Sequence, residues 1–293
     1  MKLVDSSFEI LEQPEKQIGI WKHIERCGRL AYRSENNITD DSYIKFCKML
    51  MTNHHLSVFE HGTAYLIYKY PRKSWKKMAI VSFYEKNPYS EVNIYEEGDD
   101  MVAYITTNMR VVLENHLDDD SFYGHLCDRT DKHARRISVH MICDRGISAE
   151  GNRHRRNSIT EMSTRYCNFS KNKFGKEISI IKNSDVTEYE YDANKVFNTF
   201  LKYENWENSA SAYWMAANEF TEFCYMKLLE KGWTPQQARR VLPLDLKTEV
   251  IYTAFVDDWK HFFDLRCDTN AHPDMLEIAV PLRDEFIKQG YMK

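Results

Sequence analysis

Apolar side chains recur at helical spacing in several stretches of the chain, and each such stretch predicts a helix. These stretches are residues 18–33, 41–52, 109–116, 196–231 with a break near 205–208, a segment that starts at Pro235, and 273–288. Residues 135–145 instead alternate strictly between apolar and polar side chains, which predicts a half-buried strand. Aromatic and aliphatic residues predict further strands at 61–70 and 101–106. Because helices and strands occupy separate blocks, we expect an α+β fold.

The region 71–100 breaks this pattern. It carries several lysines, a Pro88-Tyr89-Ser90 turn and an acidic run at 96–100, which together are typical of a surface loop. A second acidic stretch follows at 118–120. We therefore expect a single domain over residues 1–293, with insertions within about 71–133.

Composition narrows the class of protein. The 293 residues are 43% hydrophobic and 13% aromatic, which is enough apolar material for a packed core and excludes global disorder. A net charge of -4 does not favour a duplex-DNA binder, although a local arginine cluster could still hold a small anion. No apolar run is long enough to cross a bilayer, and the seven scattered cysteines form no C-x-x-C pair. We expect a reduced, cytoplasmic protein whose partners include neither nucleic acid nor a membrane.

The segment 153–166 is the richest in chemistry. Four arginines and a histidine fall within it, shortly after the predicted strand 135–145. Guanidinium groups bind phosphates and carboxylates bidentately and stack on planar rings, so the segment suits a nucleoside phosphate beside an aromatic cofactor. Two other interpretations stay open on spacing alone. A basic run is often a solvated face or a nucleic-acid patch, and residues 158–161 also fit a capping box at a helix start.

Other kinds of site find less support in the sequence. His54, His55, Glu60 and His61 lack the fixed H-E-x-x-H spacing of metal ligands, so we expect no metal. No G-x-S-x-G elbow surrounds Ser163, and no G-x-G-x-x-G motif indicates a dinucleotide site of the Rossmann type. The cysteines lie in no activating motif and are expected to be buried structural thiols.

One resemblance distinguishes among these interpretations. Arg153-His154-Arg155, a seven-residue spacer and then Ser163 resemble the signature of flavin-dependent thymidylate synthases, the ThyX family, and residues 164–166 extend the match. Segments 57–61, 143–146 with Glu150, 238–243 and 261–266 are similar to other family segments and occur in the family's order. The similarity covers roughly 18–66 and 101 to the C terminus, and it leaves out 71–100.

The resemblance implies a ThyX-like fold with a mixed or antiparallel sheet and long helices, assembled as a homotetramer with shared active sites. It also implies methylation of dUMP to dTMP, with FAD as cofactor, methylenetetrahydrofolate as carbon donor and NADPH as reductant. Two alternatives stay open. The chain could be a paralogue that makes another modified pyrimidine nucleotide such as hydroxymethyl-dUMP, or a non-catalytic nucleotide- or nucleic-acid-binding protein that reuses the basic segment.

The resemblance also implies roles for individual residues. Those expected to contact FAD are His55, Ser57, Glu60, Arg153, His154, Arg155, Glu161 and His261. Those expected to hold the nucleotide are Glu150, Arg153, Glu161, Ser163, Thr164, Arg165, Arg239 and Arg266. Arg266 and Ser163 would be the catalytic residues, with Arg266 polarising the uracil ring so that its carbon 5 becomes nucleophilic.

Three positions depart from the family pattern. Residues 149–152 replace a His-Glu-Leu-Val, and residues 54–56 replace a Gly-His-Glu. Phe255-Val256-Asp257 replaces an Asn-x-Arg near the flavin, so an anion stands where the family has a cation. We expect either that Asp257 points away from the flavin or that this side of the site is remodelled.

Overall fold

The structure, a computed structural model, describes residues 1–187, 189 and 209–293. The strands are β1 Lys2–Val4, β2 Ser7–Leu11, β3 Thr63–Pro71, β4 Glu91–Glu97, β5 Asp100–Asn108, β6 Leu126–Cys127, β7 Arg136–Asp144, β8 Ser158–Glu161, β9 Ser179–Ile181 and β10 Lys247–Phe255. The helices are α1 Lys16–Leu30, α2 Ser42–Thr52, α3 Trp75–Lys86, α4 Met109–Glu114, α5 Asp120–His125, α6 Arg145–Gly151, α7 Ala210–Glu230, α8 Pro235–Ala238, α9 Val256–Arg266 and α10 Pro273–Lys288. Short 3-10 helices lie at Glu35–Asn37, Leu56–His61, Asn172–Phe174 and Arg239–Val241.

A four-stranded antiparallel sheet, in the order β2-β7-β10-β8, carries the signature segment. β10 pairs with β7 along its whole length, from Lys247 opposite Asp144 to Phe255 opposite Arg136. One face packs against α9 and α10 through a cluster of aromatic side chains that includes Trp259. The alternation in 135–145 therefore predicted the position of β7 correctly, but the strand is not half-buried, since seven of its nine residues are buried.

β10 is buried at eight of its nine positions, so neither face meets solvent. Val250, Tyr252 and Ala254 pack towards α9 and α10. Ile251 points to the other face, where it packs with Leu30 of α1. A strand that is covered on both faces lacks the polar–apolar alternation of a half-covered one, which is why the sequence pattern did not indicate β10.

A second antiparallel sheet has the order β4-β5-β3-β6. It packs against α2, α3, α4 and the 3-10 helix Leu56–His61 around a separate core. β3 and β5 confirm the strands predicted at 61–70 and 101–106.

The expectation of a loop at 71–100 is wrong, because α3 and β4 occupy most of that range. Among the side chains of α3 that the structure describes, only Val81 and Tyr84 are buried. β4 is an edge strand that is exposed at five of its seven positions. Both elements thus bury too little apolar surface to leave a clear periodic signal in the sequence.

The capping-box interpretation of 158–161 is also wrong, since these residues form β8 and pair with β10 from Ser158–Thr253 to Glu161–Val250.

Helices α1, α2, α4 and α10 confirm their predictions, and α10 has the predicted bounds. α7 confirms the end of the helix predicted at 196–231, and α8 begins at Pro235 as expected. The part at 196–208, with its break, lies outside the described residues.

The remaining strands, β1 and β9, form a parallel pair. The architecture confirms the α+β class with antiparallel sheets. Within the described ranges, no helix combines the length and apolar character needed to cross a membrane.

Candidate functional site

The signature segment begins where β7 leaves the central sheet. Asp144 at the end of β7 accepts the backbone N–H of Ile147 across 2.8 Å and so caps α6. α6 carries Glu150 in its last turn, and the chain then turns sharply through Arg153 and His154. The backbone N–H of Arg153 donates to the carbonyl of Glu150 across 3.2 Å, which closes this turn.

Helix α9 brings Arg266 to the same turn. Its Nε–H donates to Nε2 of His154 across 3.0 Å. One terminal nitrogen donates to Oε2 of Glu150 and the other to the Glu150 carbonyl, each across 2.8 Å. These contacts use three of the five N–H groups of a guanidinium, so two remain for a ligand.

His154 is 9% exposed, and its surroundings keep it neutral. Burial, followed by the positive charge of Arg266 and the neighbouring His261, lowers the pKa of His154 to about 4. Because Nε2 accepts from Arg266, the proton of the neutral ring resides on Nδ1. The ring also packs against Phe262, with centroids 4.9 Å apart, and against His261 at 5.9 Å.

A cavity of about 430 Å³ opens beside this cluster. Its lining residues are Arg153, His154, Arg155, Arg156, Asn157, Asp258, His261, Leu265 and Arg266. Arg153 and Arg155 are exposed, and neither has an ion-pair partner in the described ranges. Arg156 instead pairs with Asp258 across 3.3 Å and donates to the carbonyl of Pro88 across 3.3 Å. The structure thus brings together five predicted residues, from segments 153–155 and 261–266.

The donor set of this cavity fits a flavin. The guanidinium groups of Arg153 and Arg155 are free to bind phosphate oxygens, and His154 and His261 place planar rings at the cavity. The volume falls within the range usual for small-molecule sites. These residues could therefore hold part of FAD.

The predicted nucleotide residues after β8 form a second group. Arg239 Nη1 donates to the hydroxyl of Thr164 across 3.3 Å, and Arg165 Nε donates to Gln236 across 3.0 Å. Ser163 is fixed by its backbone N–H, which donates to the carbonyl of Ala31 across 3.0 Å. Its hydroxyl accepts the backbone N–H of Arg165 across 3.2 Å. The segment after β8, Gln236 of α8 and Ala31 at the end of α1 thus meet near two exposed arginines, Arg165 and Arg239.

The N-terminal flavin segment forms a third group on the 3-10 helix Leu56–His61. His55 and Ser57 are exposed, and the carboxylate of Glu60 accepts from Arg110 across 2.6 Å.

His61, at the end of the same helix, is fully buried between two strands. Its Nδ1 lies 2.7 Å from the hydroxyl of Thr253 on β10, and its Nε2 lies 2.9 Å from the hydroxyl of Thr160 on β8. These contacts anchor the 3-10 helix to the central sheet.

Glu161 is the last residue of β8. It accepts from the hydroxyls of Ser148 and Thr248 across 2.8 and 2.9 Å, and it lies 3.4 Å from Arg145. These three partners hold it in place without a ligand.

Asp257, which stands where the family pattern has a cation, has an ion-pair partner in its own helix. Asp257 is exposed and forms an ion pair with Lys260 one turn later, at 2.7 Å. The next residue, Asp258, lines the cavity, and burial raises its pKa. Burial, together with Asp257 and Asp258, also raises the pKa of Glu91 on β4. Carboxylates therefore lie on this side of the site.

Four of the residues that line the cavity were not predicted from the sequence: Arg156, Asn157, Asp258 and Leu265. Arg156 directly follows the signature triplet and could have been included for that reason. Asp258 lies in the first turn of a helix that follows a strand that the pattern did not indicate, so no sequence signal placed it at the cavity.

Fold and site together define an α+β protein with a basic pocket suited to a phosphorylated aromatic ligand. Residues 127–289, more than half of the chain, match the family described as "Thymidylate synthase complementing protein". The chain belongs to this family.

Curated relatives agree with this membership. The chain is 28% identical over 153 residues to the flavin-dependent thymidylate synthase of Synechocystis sp., covering 52% of this chain and 66% of the relative. It is 27% identical over 179 residues to that of Pyrococcus furiosus, covering 60% and 64%. A probable flavin-dependent thymidylate synthase of Paramecium bursaria Chlorella virus 1 is 24% identical over 157 residues, covering 52% and 67%. The chain thus spans about two thirds of the length of the relatives it matches.

Proposed function

We propose that the protein methylates dUMP to dTMP, with FAD as cofactor, methylenetetrahydrofolate as carbon donor and NADPH as reductant. The observation that supports this most is the contact of Arg266 with both His154 and Glu150. This contact brings the signature segment next to the C-terminal arginine segment. The two segments lie more than a hundred residues apart in the chain.

Arg266 would act on the pyrimidine ring. Its guanidinium is fixed by three protein contacts, and its two remaining N–H groups would donate to a carbonyl oxygen of uracil. Negative charge that develops on this oxygen would be stabilised by a cation already in position, which makes carbon 5 a better nucleophile. Neutral His154 supports this role because it accepts from Arg266 without adding a second positive charge.

Arg165 and Arg239 would bind the phosphate of dUMP. Both are exposed, and each contacts the protein through a neutral partner, Gln236 or Thr164, so that its charge is not cancelled. The family resemblance gives Ser163 a place beside the same ligand, with its backbone fixed by Ala31.

FAD would be held by Arg153, Arg155 and His261 at the cavity, and by His55, Ser57 and Glu60 of the 3-10 helix. When bound, the flavin supplies the reducing equivalents that convert the transferred one-carbon unit to a methyl group. Glu161 would lie between the two ligands, and its three protein contacts would keep its carboxylate oriented.

The predicted residues form separate groups within one chain, which is the arrangement expected if the groups of different copies complete each site. We therefore include the homotetramer with shared active sites in the proposal.

The flavin spectrum tests the binding part of this proposal. The purified protein is loaded with FAD, and dUMP is then titrated while flavin absorbance is followed. We expect dUMP to perturb the spectrum, and we expect Arg239→Gln to weaken this response while FAD remains bound. Failure to retain FAD, or a spectrum unaffected by dUMP, would count against the proposal.

A further inference from the structure

A second cavity lies where the β4-β5-β3-β6 sheet meets the central sheet. Its volume is about 510 Å³. Its walls come from the loop before α1, the start of β3, the region of β6, the start of β7 and the C-terminal tail. None of the residues proposed above for FAD or dUMP lines it.

Three arginines line this cavity. Arg129 follows β6, Arg135 precedes β7, and Arg136 is the first residue of β7. All three act electrostatically on the hydroxyl of Tyr65, where they oppose the rise in pKa that burial causes. All three arginines and Tyr65 line the same cavity, so its wall is locally positive.

These charges lack direct counter-ions. In the part of the chain that the structure describes, no carboxylate lies within 4 Å of the guanidinium nitrogens of Arg129, Arg135 or Arg136. Arg135 instead stacks on the ring of Tyr291 at 4.0 Å. Arg136 is 9% exposed and donates to neutral oxygens, and its buried Nε has no hydrogen-bond partner.

The acidic residues that line the same cavity do not act as counter-ions for these arginines. Asp128 accepts the backbone N–H of Lys16 across 2.7 Å. Glu12 and Glu15 are exposed to solvent at the rim. Arg136 is the costly member of this group, because its buried guanidinium donates only to neutral oxygens. With Arg129 and Arg135 lining the same cavity, the site favours an anion from solution.

We propose that this cavity is a binding site for a phosphate group, carried by a small molecule other than the proposed substrate and cofactor. Arginine forks match the geometry of phosphate oxygens bidentately. The phenol of Tyr65 and the ring of Tyr291 border the same space and suit an apolar or aromatic body attached to the phosphate. Because the cavity joins the insertion to the central sheet, its occupant would stabilise the contact between them.

Inorganic phosphate is the probe for this site, titrated calorimetrically at constant ionic strength with chloride as the balancing anion. Arg129→Gln and Arg135→Gln each remove one charge from the cavity wall. Each should weaken phosphate binding about ten-fold or more, as expected for loss of one charge-assisted contact. Arg283→Gln is the matched control, because Arg283 is paired with Asp284 and does not line the cavity.

The proposed dUMP site could also take up phosphate, so the titrations are repeated in the Arg165→Gln, Arg239→Gln double variant. Binding that survives there and falls on further change of Arg129 or Arg135 supports the proposal, whatever the protein does with dUMP. Binding that disappears in the double variant, or that is unaffected by changes at Arg129 and Arg135, overturns it. Circular dichroism confirms that each variant is folded, and Arg129, which is exposed, gives the variant least able to disturb the fold.

Discussion

Arg266 donates its Nε–H to Nε2 of His154 across 3.0 Å, and this contact joins the last turn of α9 to the turn after α6. The acceptor must be a neutral imidazole, and the lowered pKa of His154 keeps it neutral at physiological pH. The proposed catalytic cation is thus oriented by a partner that does not reduce its charge.

Arg266→Lys should fold normally and lose most turnover. Lysine keeps the positive charge but cannot make three planar contacts and still offer two N–H groups to uracil. We expect release of the hydrogen on carbon 5 of dUMP to fall by at least about ten-fold, the loss of one charge-assisted contact. A near-normal rate in this variant would show that Arg266 does not act on the base.

Arg153→Ala should weaken FAD binding roughly ten- to a hundred-fold, because it removes a charge-assisted contact worth about 1.5–3 kcal/mol. Titration of flavin fluorescence measures the change. Arg283→Ala serves as the control for a lost surface charge and should leave the affinity unaltered. Equal affinities in wild type and Arg153→Ala would remove Arg153 from the flavin site.

The buried histidines should make stability depend on pH. Burial, and then nearby arginines, lower the pKa of His23 to about 3, and burial lowers that of His61 well below its usual value. Between pH 6.5 and 4 the unfolded chain binds these protons and the native protein does not, so stability is full near pH 7 and falls as the pH drops. The expected loss is about 2 kcal/mol per histidine between pH 7 and pH 5.

Urea unfolding at pH 7, 6 and 5 measures this slope. His23→Gln should flatten it, while His55→Gln, at an exposed position, should leave it unchanged. Stability that is constant over this range would mean that the buried histidines take up protons in the native protein.

Asp257→Arg restores a cation where the family has one. Asp257 is exposed and paired with Lys260, so the substitution removes an anion near the cavity without opening the core. We expect either tighter FAD binding, measured by equilibrium titration, or faster flavin reduction by NADPH, measured by stopped-flow absorbance. No gain in either would indicate that Asp257 does not influence the site.

Sequence patterns predicted the elements whose two faces differ in polarity. β7 alternates between apolar and polar side chains, although seven of its nine residues are buried, and α10 has an apolar stripe that includes Ile278 and Leu282. Both elements lie where the pattern placed them. The sequence pattern did not predict β10, because both of its faces are covered. It did not predict β4, because most of its side chains are exposed. Periodicity reports the contrast between faces, and these two strands have little contrast.

The candidate site was predictable from motifs more than from spacing. Motif similarity placed Arg266 with the signature segment, and the structure brings it to His154 and Glu150. It could not indicate Asp258, which follows a strand that the pattern did not indicate, although Asp258 pairs with Arg156. It also could not indicate the Pro88 carbonyl, because its contact with Arg156 depends on how the β4-β5-β3-β6 sheet packs. The three cavity arginines near Tyr65 were missed for the same reason.

Mass spectrometry of the nucleotide product tests the central claim most directly. The FAD-loaded protein is incubated with dUMP, methylenetetrahydrofolate and NADPH, and Arg266→Lys is run in parallel. The account predicts a product with the mass of dTMP in the wild-type reaction and little or none with the variant. A product with the mass of hydroxymethyl-dUMP would contradict the proposed methylation, and unchanged dUMP in the presence of bound FAD would contradict the proposed activity altogether.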